Sequence, residues 1–186
     1  MVQFRRALAS DAHFIANTYR PFVEDGWASF EHIAPDEAEI RNRLNAAGDT
    51  YPWLIAEHDE PLAYAYASPH RSRQAYETSV DTTIYCAPSS QGKGIGTALY
   101  RMLLETLSRQ NFVMAFAGIA LPNEGSVALH QKLGFEPIGL YPNVGYKAGR
   151  WRSTQWWGKT LADPAATPNS IYPVSEILDE LFHKRT

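Results

Sequence analysis

The sequence predicts a single domain of the α/β (α+β) class, in which helices flank a central, twisted, mixed and mostly antiparallel sheet. Short apolar runs typical of strands alternate along the chain with segments whose apolar residues recur at helical spacing. Two of these runs, residues 53–57 and 62–68, are joined by residues 59–61, which indicates neighbouring antiparallel strands. A glycine-rich segment, residues 91–97, leads from a further strand into an amphipathic helix.

The first part of the chain is predicted to contain one strand, two helices and the start of a strand meander. Residues 3–8 are predicted as the first strand, and Ser10 and Asp11 can cap the helix that follows it. A second helix is predicted from near Pro35 to near Gly48, because the acidic residues in its first turns suit the helix dipole.

The second part of the chain completes the sheet. Its strands are predicted at residues 79–86, 112–119, 135–140 and 152–161. One helix follows the glycine-rich segment with an apolar face toward the sheet, and a short helix from Pro122 to Lys132 ends before Gly134, a left-handed C-cap. Residues 1–163 are predicted as one domain. Residues 164–186 are predicted as an extension with a short amphipathic helix, which could pack on its own domain or on a partner subunit.

Composition is that of an ordinary folded protein. The 186 residues are 45% hydrophobic, which is enough for a domain with a core and excludes disorder as the main interpretation. The net charge of −3 and the pI near 6.1 argue against a nucleic-acid partner. No apolar run approaches the roughly 20 residues that span a bilayer, and the first residues lack the apolar stretch of a signal peptide. We therefore expect a cytoplasmic protein with no membrane partner.

The glycine-rich segment is the most informative functional feature. Gly92, Gly94 and Gly96 allow backbone angles closed to other residues, so consecutive N–H groups can converge on an anion at a helix N-terminus. Phosphate or pyrophosphate is the ligand that this arrangement favours. A Walker A loop is excluded because Ala87 stands where it needs glycine and Gly94 where it needs Ser or Thr. A dinucleotide fingerprint is excluded because the glycines follow G-x-G-x-G spacing.

The segment and its surroundings resemble a known family. Gln91, Gly94 and Gly96 match the pattern Q/R-x-x-G-x-G/A, and the chain is similar to the phosphinothricin acetyltransferase family of the GNAT superfamily of N-acetyltransferases. The similar blocks are residues 51–57, 81–85, 121–123, 126–127, 130, 133–135, 145–147, 149, 151 and 157, within a resemblance that covers roughly residues 3–175. The resemblance implies the GNAT fold, acetyl-CoA as cosubstrate with its pyrophosphate on the glycine-rich segment, and a homodimer.

The residues assigned to acetyl-CoA are Tyr85, Cys86, Gln91, Gly92, Lys93, Gly94, Ile95, Gly96, Thr97, Asn123 and Ser126. Backbone groups of Tyr85 and Cys86 would pair with the pantetheine arm like an added strand. Asn123 and Ser126 resemble family positions that contact this arm, and the alternative for Asn123 is a helix N-cap. An acetyl-cysteine intermediate on Cys86 is an alternative, but we interpret this single cysteine as a small buried residue, with no metal site expected.

Acetyl transfer from a thioester to an amine needs a base for the ammonium, donors for the oxyanion and an acid for the departing thiolate. The resemblance places the base at Asp81, where the family has glutamate. Aspartate is one methylene shorter, so deprotonation can run directly or through an ordered water, and the alternative is a structural carboxylate at the strand edge. His130 stands where many superfamily members have a tyrosine acid, and histidine suits acid or base work. Its alternative is a surface or capping histidine.

The acceptor is expected to meet a polar loop around His70. Arg71 and Arg73 can bind a carboxylate or phosphinate at two points. The loop resembles the family's P-W-K-A-R-N-A-Y segment, with His70 in place of tryptophan. Glu24 and Phe30 align with the segment between the first two helices, where they would face the substrate ammonium and line the pocket. The alternative for these charged residues is a solvated surface.

The sequence therefore predicts an acetyl-CoA-dependent N-acetyltransferase that acts by direct attack in a ternary complex. The resemblance implies a small-molecule acceptor, the α-amine of an amino-acid-like compound such as phosphinothricin or methionine sulfoximine, and a role in resistance to such analogues. The changes at His70, Arg71 and Asp81 leave another amino acid or a polyamine open. The competing prediction is a non-catalytic acyl-CoA-binding or sensor module, against which Asp81 and His130 argue.

Overall fold

The structure is a computed structural model that describes residues 1–164 and 167–183. Residues 165, 166 and 184–186, which belong to the predicted extension, lie outside the described residues. In chain order the elements are β1 (Gln3–Arg6), α1 (Ala12–Glu24), α2 (Glu37–Ala47), β2 (Trp53–His58), β3 (Glu60–Pro69), β4 (Ser79–Cys86), α3 (Ile95–Arg109), β5 (Met114–Ala120), α4 (Glu124–Lys132), β6 (Glu136–Lys147), β7 (Arg150–Thr160) and α5 (Val174–His183). None of the described helices is long and apolar enough to cross a bilayer.

The strands form one seven-stranded sheet in the order β1-β2-β3-β4-β5-β7-β6. Neighbouring strands are antiparallel except for β4 and β5, which are parallel. The chain passes from β4 to β5 through α3, because a parallel pair needs a crossover connection. The structure thus confirms the predicted mixed, mostly antiparallel sheet with flanking helices.

Two hydrophobic cores cover the two faces of the sheet. Val80 of β4 belongs to the core that contains α3, whereas Tyr85 stacks near Tyr19 of α1, because successive strand residues face opposite sides. The first core also includes buried residues of α5, such as Val174 and Leu178. The C-terminal helix therefore packs on its own domain, which was one of the two alternatives for the extension.

The hairpin of β6 and β7 is longer than predicted. The sequence predicts that β6 ends at residue 140, and that boundary is wrong. The strand continues to Lys147, because Pro142 is accommodated where the pairing register with β7 shifts, as in a bulge. The chain then reverses at Ala148 and Gly149, whose φ angles of 51° and 72° suit a two-residue hairpin turn.

One of the two predicted helix starts has a different cap. At α2 the Asp36 side chain accepts the N–H of Glu39 at 2.8 Å, as acidic capping requires. At α1 the prediction is wrong, because the Asp11 carboxylate does not cap the helix. It accepts the N–H of Leu8 at 2.7 Å and two hydrogen bonds from Arg5. Asp11 therefore joins β1 to the helix start.

Candidate active site

A cleft opens where β4 and β5 separate. The two strands pair only through residues 79–81 and 114–116, and the described residues beyond them are unpaired with each other. The cleft has a volume of about 610 Å³ and is lined from both faces of the sheet, with Phe22 of α1 on one side and His130 of α4 on the other. The edge of β4 in this cleft has main-chain groups that an extended ligand can pair with.

The glycine-rich segment forms one wall of the cleft at the start of α3. Gly92 and Gly94 have φ angles of 73° and 78°, in the left-handed region that favours glycine, and Gly94 is the N-cap of the helix. A Cβ atom at Gly96 would lie 2.9 Å from the Cys86 sulfur, so this glycine allows α3 to approach β4 closely. The first turn of α3 is thereby placed to offer N–H groups to an anion in the cleft.

Of the residues assigned to acetyl-CoA, all but Lys93 and Ile95 line the cleft. The stretch of β4 from Thr82 to Cys86 runs along it and is roughly 13 Å long at about 3.3 Å per residue. This stretch can accompany an extended pantetheine arm. Burial raises the pKa of the Cys86 thiol, and the Ser90 hydroxyl offsets the effect only in part, which disfavours a reactive thiolate there.

Helix α4 brings Asn123 and Ser126 to the cleft. The Asn123 side-chain oxygen accepts the N–H of Ser126 at 3.1 Å and so caps the helix. Both residues also line the cleft. Capping and cofactor contact, the two alternatives for Asn123, are therefore compatible.

His130 lies in the same wall with both ring nitrogens engaged. Nδ1 lies 2.7 Å from the carbonyl oxygen of Ser126, and Nε2 lies 3.1 Å from the hydroxyl of Tyr100. The Tyr100 hydroxyl is also 2.7 Å from the Thr82 hydroxyl, so its single proton can serve only one of these acceptors at a time. Burial lowers the pKa of His130, and the Ser126 carbonyl offsets this only in part. Burial thus favours the neutral form of the imidazole.

Asp81 forms a short hydrogen bond with His70, a residue to which the sequence assigns no catalytic role. Nδ1 of His70 lies 2.6 Å from Oδ1 of Asp81, and the two side chains are only 14% and 29% exposed. In the register of β3 and β4, Ser68 stands opposite Asp81. His70 is two residues further along and falls at the diagonal position on the same face. That relation is the signal in the sequence that could have identified the pair.

The surroundings of this pair are aromatic. The imidazole centroid lies 4.4 Å from the ring of Phe116, 5.9 Å from Tyr76 and 6.1 Å from Trp156. Burial raises the pKa of the Asp81 carboxyl, and the hydrogen bond from His70 offsets this only in part. The indole N–H of Trp156 is buried and has no hydrogen-bond partner among the described residues. A carboxylate, an imidazole and an unused donor thus lie beside the fork of β4 and β5. None of these three residues lines the cleft itself, which begins with Thr82, next to Asp81.

The two arginines of the predicted acceptor loop differ in placement. Arg71 donates to the carbonyl of His70 at 2.7 Å, and its guanidinium lies 5.8 Å from the ring centroid of Trp156. Arg73 is exposed, and its guanidinium has no hydrogen bond or ion pair with any described residue, although its main-chain carbonyl accepts the N–H of Tyr76 at 3.0 Å. Neither arginine lines the cleft, and the two-arginine clamp stays a prediction.

Glu24 and Phe30 do not line the cleft. Glu24 ends α1 with a half-exposed carboxylate, and the ring of Phe30 packs against Gly145. The segment they flank reaches the cleft through Ala28, and the preceding helix α1 reaches it through Phe22. Their contact with an acceptor stays a prediction.

The loop between α1 and α2 is held over the sheet by polar contacts. The Trp27 indole N–H donates to the carbonyl of Pro122 at 2.8 Å, and the guanidinium of Arg152 lies 4.2 Å from the Trp27 ring centroid. Further along, Arg43 donates two hydrogen bonds of 2.8 and 3.0 Å to the Glu31 carboxylate. These contacts hold the loop residues that line the cleft.

Known proteins share this arrangement. A model described as the acetyltransferase (GNAT) family matches residues 15–135. A phosphinothricin N-acetyltransferase of Streptomyces coelicolor is 36% identical over 165 residues, which cover 86% of this chain and 96% of that protein. An L-methionine sulfoximine/L-methionine sulfone acetyltransferase of Pseudomonas paraeruginosa is 36% identical over 150 residues, which cover 79% of this chain and 87% of that protein.

A solved structure extends the likeness to the whole fold. The crystal structure of a GNAT superfamily phosphinothricin acetyltransferase from Sinorhizobium meliloti in complex with AcCoA has a TM-score of 0.87 and 37% sequence identity to this chain. The superposition covers 94% of this chain and 97% of that one.

Proposed function

The chain belongs to the acetyltransferase (GNAT) family, and from that premise we propose the acceptor atom and the roles of individual residues. It is an acetyl-CoA-dependent N-acetyltransferase of small amino-acid-like substrates. We propose that the acceptor is the α-amine of a compound of the phosphinothricin or methionine sulfoximine type. The observation that carries this proposal is the position of Asp81, at the fork where the acetyl-CoA cleft begins.

In the proposed mechanism acetyl-CoA lies along the free edge of β4. Its pyrophosphate meets the N–H groups at the start of α3, between Gly92 and Thr97, and its pantetheine arm passes Asn123 and Ser126. Thr82, beside Asp81, would then hold the thioester. The acceptor amine attacks the thioester carbonyl directly, and its deprotonation depends on the Asp81 carboxylate.

The catalytic role of His130 stays a prediction. Its imidazole lines the cleft, but its nitrogens are engaged with Ser126 and Tyr100, and burial lowers its pKa and so favours the neutral form. A neutral ring of this kind suits the holding of Ser126 at the cofactor better than proton donation to the thiolate. His130→Ala with unchanged turnover would remove the residue from the mechanism.

An amine panel with acetyl-CoA and detection of released thiol tests the proposed function. Phosphinothricin, methionine sulfoximine, protein amino acids and a polyamine form the panel, and Asp81→Asn is the matched inactive control. Turnover of the first two above the others is the expected result. Turnover of only the polyamine would replace the acceptor. Tight binding of CoA without turnover of any amine would favour the acyl-CoA-binding or sensor module.

We also propose a homodimer formed through the hairpin of β6 and β7. Exposed apolar side chains cluster on this hairpin, including Ile138, Leu140, Val144 and Trp151, and apolar patches of this kind mark interfaces. Val144→Glu should convert a dimer into a monomer in analytical ultracentrifugation. Ile33→Glu is the matched control, because Ile33 is equally apolar and 84% exposed but lies outside the hairpin. A wild-type monomer would exclude the dimer.

A cytoplasmic location and a role in resistance complete the proposal. Free amino-acid analogues and acetyl-CoA meet inside the cell, so acetylation there would inactivate such compounds. Expression in a sensitive bacterium should raise its tolerance of phosphinothricin or methionine sulfoximine, whereas the Asp81→Asn variant should not. Equal tolerance with both variants would exclude resistance by acetylation.

A further inference from the structure

Two residues at which this chain differs from the family it resembles contact each other in the structure. His70 stands in place of tryptophan and Asp81 in place of glutamate, and their Nδ1 and Oδ1 atoms are 2.6 Å apart. We propose that they form a dyad in which His70 takes the proton of the acceptor ammonium and Asp81 holds the imidazole in position. The inference rests on the proposed N-acetylation at this cleft and names the atom that receives the proton.

The geometry leaves one imidazole nitrogen for the reaction. An ionised carboxylate can only accept hydrogen bonds, so Asp81 keeps the proton of a neutral His70 on Nδ1 and leaves a lone pair on Nε2. Nε2 has no hydrogen-bond partner among the described residues, and it is not one of their unpartnered buried atoms. A basic nitrogen with access to a ligand is therefore present beside Asp81.

The dyad also compensates for the shorter aspartate side chain. Asp81 is the last residue of β4 that pairs with β5, and Thr82 and Thr83, which follow it, line the cleft. The His70 ring lies on Phe116, whose main chain pairs with Asp81 at this fork. In the proposed dyad the imidazole stands between the carboxylate and the acceptor, and the width of its ring takes the place of the missing methylene.

Other titratable groups surround the dyad. The titratable groups that face it among the described residues are Arg71, Tyr66, Tyr76 and, across the sheet, Tyr100. Burial raises the pKa of the Asp81 carboxyl, so this group also contributes to the dependence of the rate on pH. A dependence on pH that is lost in His70→Gln, in which Asp81 is kept, therefore reports on the dyad.

The proposed step needs no further reactant. The acceptor ammonium gives one proton to Nε2, and the imidazolium formed keeps its Nδ1–H on Asp81. The amine nitrogen bonds to the thioester carbonyl carbon, and the carbon–sulfur bond breaks to release the CoA thiolate. One of the two protons left on the nitrogen goes to the thiolate as the amide forms. The imidazolium then returns its proton to solvent.

His70→Gln tests this assignment, because glutamine can still donate to Asp81 but cannot take up a proton. With the most reactive amine, kcat should fall about 100-fold, as expected for loss of a general base. The dependence of kcat on pH should change, and the KM for acetyl-CoA should change little. Added imidazole should restore part of the rate of His70→Ala. A His70→Gln enzyme within about threefold of wild type, with its pH profile intact, would overturn the dyad.

The chain offers a matched control for a histidine–carboxylate pair. His13 Nδ1 lies 2.6 Å from Glu37 Oε1, the same separation as in the dyad, but this pair is on the exposed surface of α1 and α2. His13→Gln should leave kcat and the pH profile unchanged. An equal loss in both variants would mean that the effect of His70→Gln is one of general stability, which would also overturn the proposal.

A measurement without turnover separates this inference from the proposed function. Nitrogen-15 spectra of labelled histidine rings report which nitrogen carries the proton, and the His70 signal is identified by its absence in His70→Gln. The dyad predicts a protonated Nδ1 that is perturbed in Asp81→Asn. A bare Nδ1 facing Asp81 would overturn the dyad whatever the turnover. The predicted tautomer in a protein that acetylates no amine would contradict the proposed function alone.

Discussion

The donor side and the acceptor side of the cleft are built in opposite ways. The donor side consists of main chain and small residues: the turn at Gly92 and Gly94, the unpaired edge of β4 and the first turn of α4. The acceptor side, beside the fork of β4 and β5, consists of large polar and aromatic side chains from separate segments. His70 is hydrogen-bonded to Asp81, and its ring centroid lies 6.1 Å from that of Trp156. One side binds through backbone groups that every residue has, and the other through particular side chains.

The difference follows from what each side must recognise. Acetyl-CoA is the same in every reaction, and main-chain N–H groups at a helix start bind its phosphates whatever the side chains are. The acceptor is defined by its amine and its acidic group, which need a base and cations at set positions. Substitutions on the two sides should therefore change different kinetic constants. Donor-side substitutions should change the KM for acetyl-CoA, and acceptor-side substitutions should change kcat and the KM for the acceptor.

The largest effect is expected at the acceptor side with Asp81→Asn. Loss of the carboxylate removes the group on which deprotonation depends, so kcat should fall by about 100-fold or more. The KM for acetyl-CoA should stay unchanged. Steady-state kinetics with both substrates varied measures this separation. An Asp81→Asn enzyme with the wild-type rate and pH profile would show that the carboxylate is only structural.

On the donor side the largest effect is expected for Gly94→Ala. Gly94 has a φ of 78°, and the left-handed conformation costs other residues about 1–2 kcal/mol, so the KM for acetyl-CoA should rise roughly tenfold. The acceptor KM should not change. Gly139→Ala is the control, because Gly139 lies in β6 with open space around a Cβ and no positive φ. Equal effects of the two substitutions would contradict backbone recognition of the donor.

A smaller effect is expected for Arg73→Ala. The side chain is exposed, so a contact with an acidic acceptor is worth about 1 kcal/mol, and the acceptor KM should rise about fivefold. A neutral amine should not be affected. Arg101→Ala, at an exposed position on α3, provides the control. No change for the acidic acceptor would eliminate the carboxylate clamp at this arginine.

The smallest effect concerns stability, at His130 in the donor wall. Burial lowers the pKa of His130 in the folded protein, so the unfolded chain binds the proton more readily. The stability due to neutral His130 is present above the ordinary histidine pKa, near 6.5, and is lost as pH falls through the lower folded value. Thermal unfolding of His130→Gln should therefore depend less on pH between about 7 and 5. Parallel curves for both proteins would refute a buried neutral imidazole.

The two sides also differ in how far the sequence predicts them. The glycine-rich segment, its helix and the strand before it are contiguous, so spacing alone predicts the anion site and the resemblance assigns its ligand. The β3–β4 register can also be predicted from the sequence, because the predicted strand boundaries are close to the observed ones. The diagonal contact of His70 with Asp81 is nevertheless absent from the predictions. The position of Trp156 over Gly118 cannot be predicted from the sequence, because it depends on the pairing of β7 with β5 across a long connection.

By itself the sequence determined the class of fold, the order of its elements and the anion site, because each depends on local patterns such as periodicity, glycine spacing and strand length. Its resemblance to a known family implied the family and the cosubstrate. Only the tertiary structure decided that β4 and β5 separate after Asp81, that the C-terminal helix packs on α3, and that His70 reaches Asp81. These features depend on which distant segments lie side by side. Strand register and packing determine which segments are neighbours, and no single stretch of the chain contains that information.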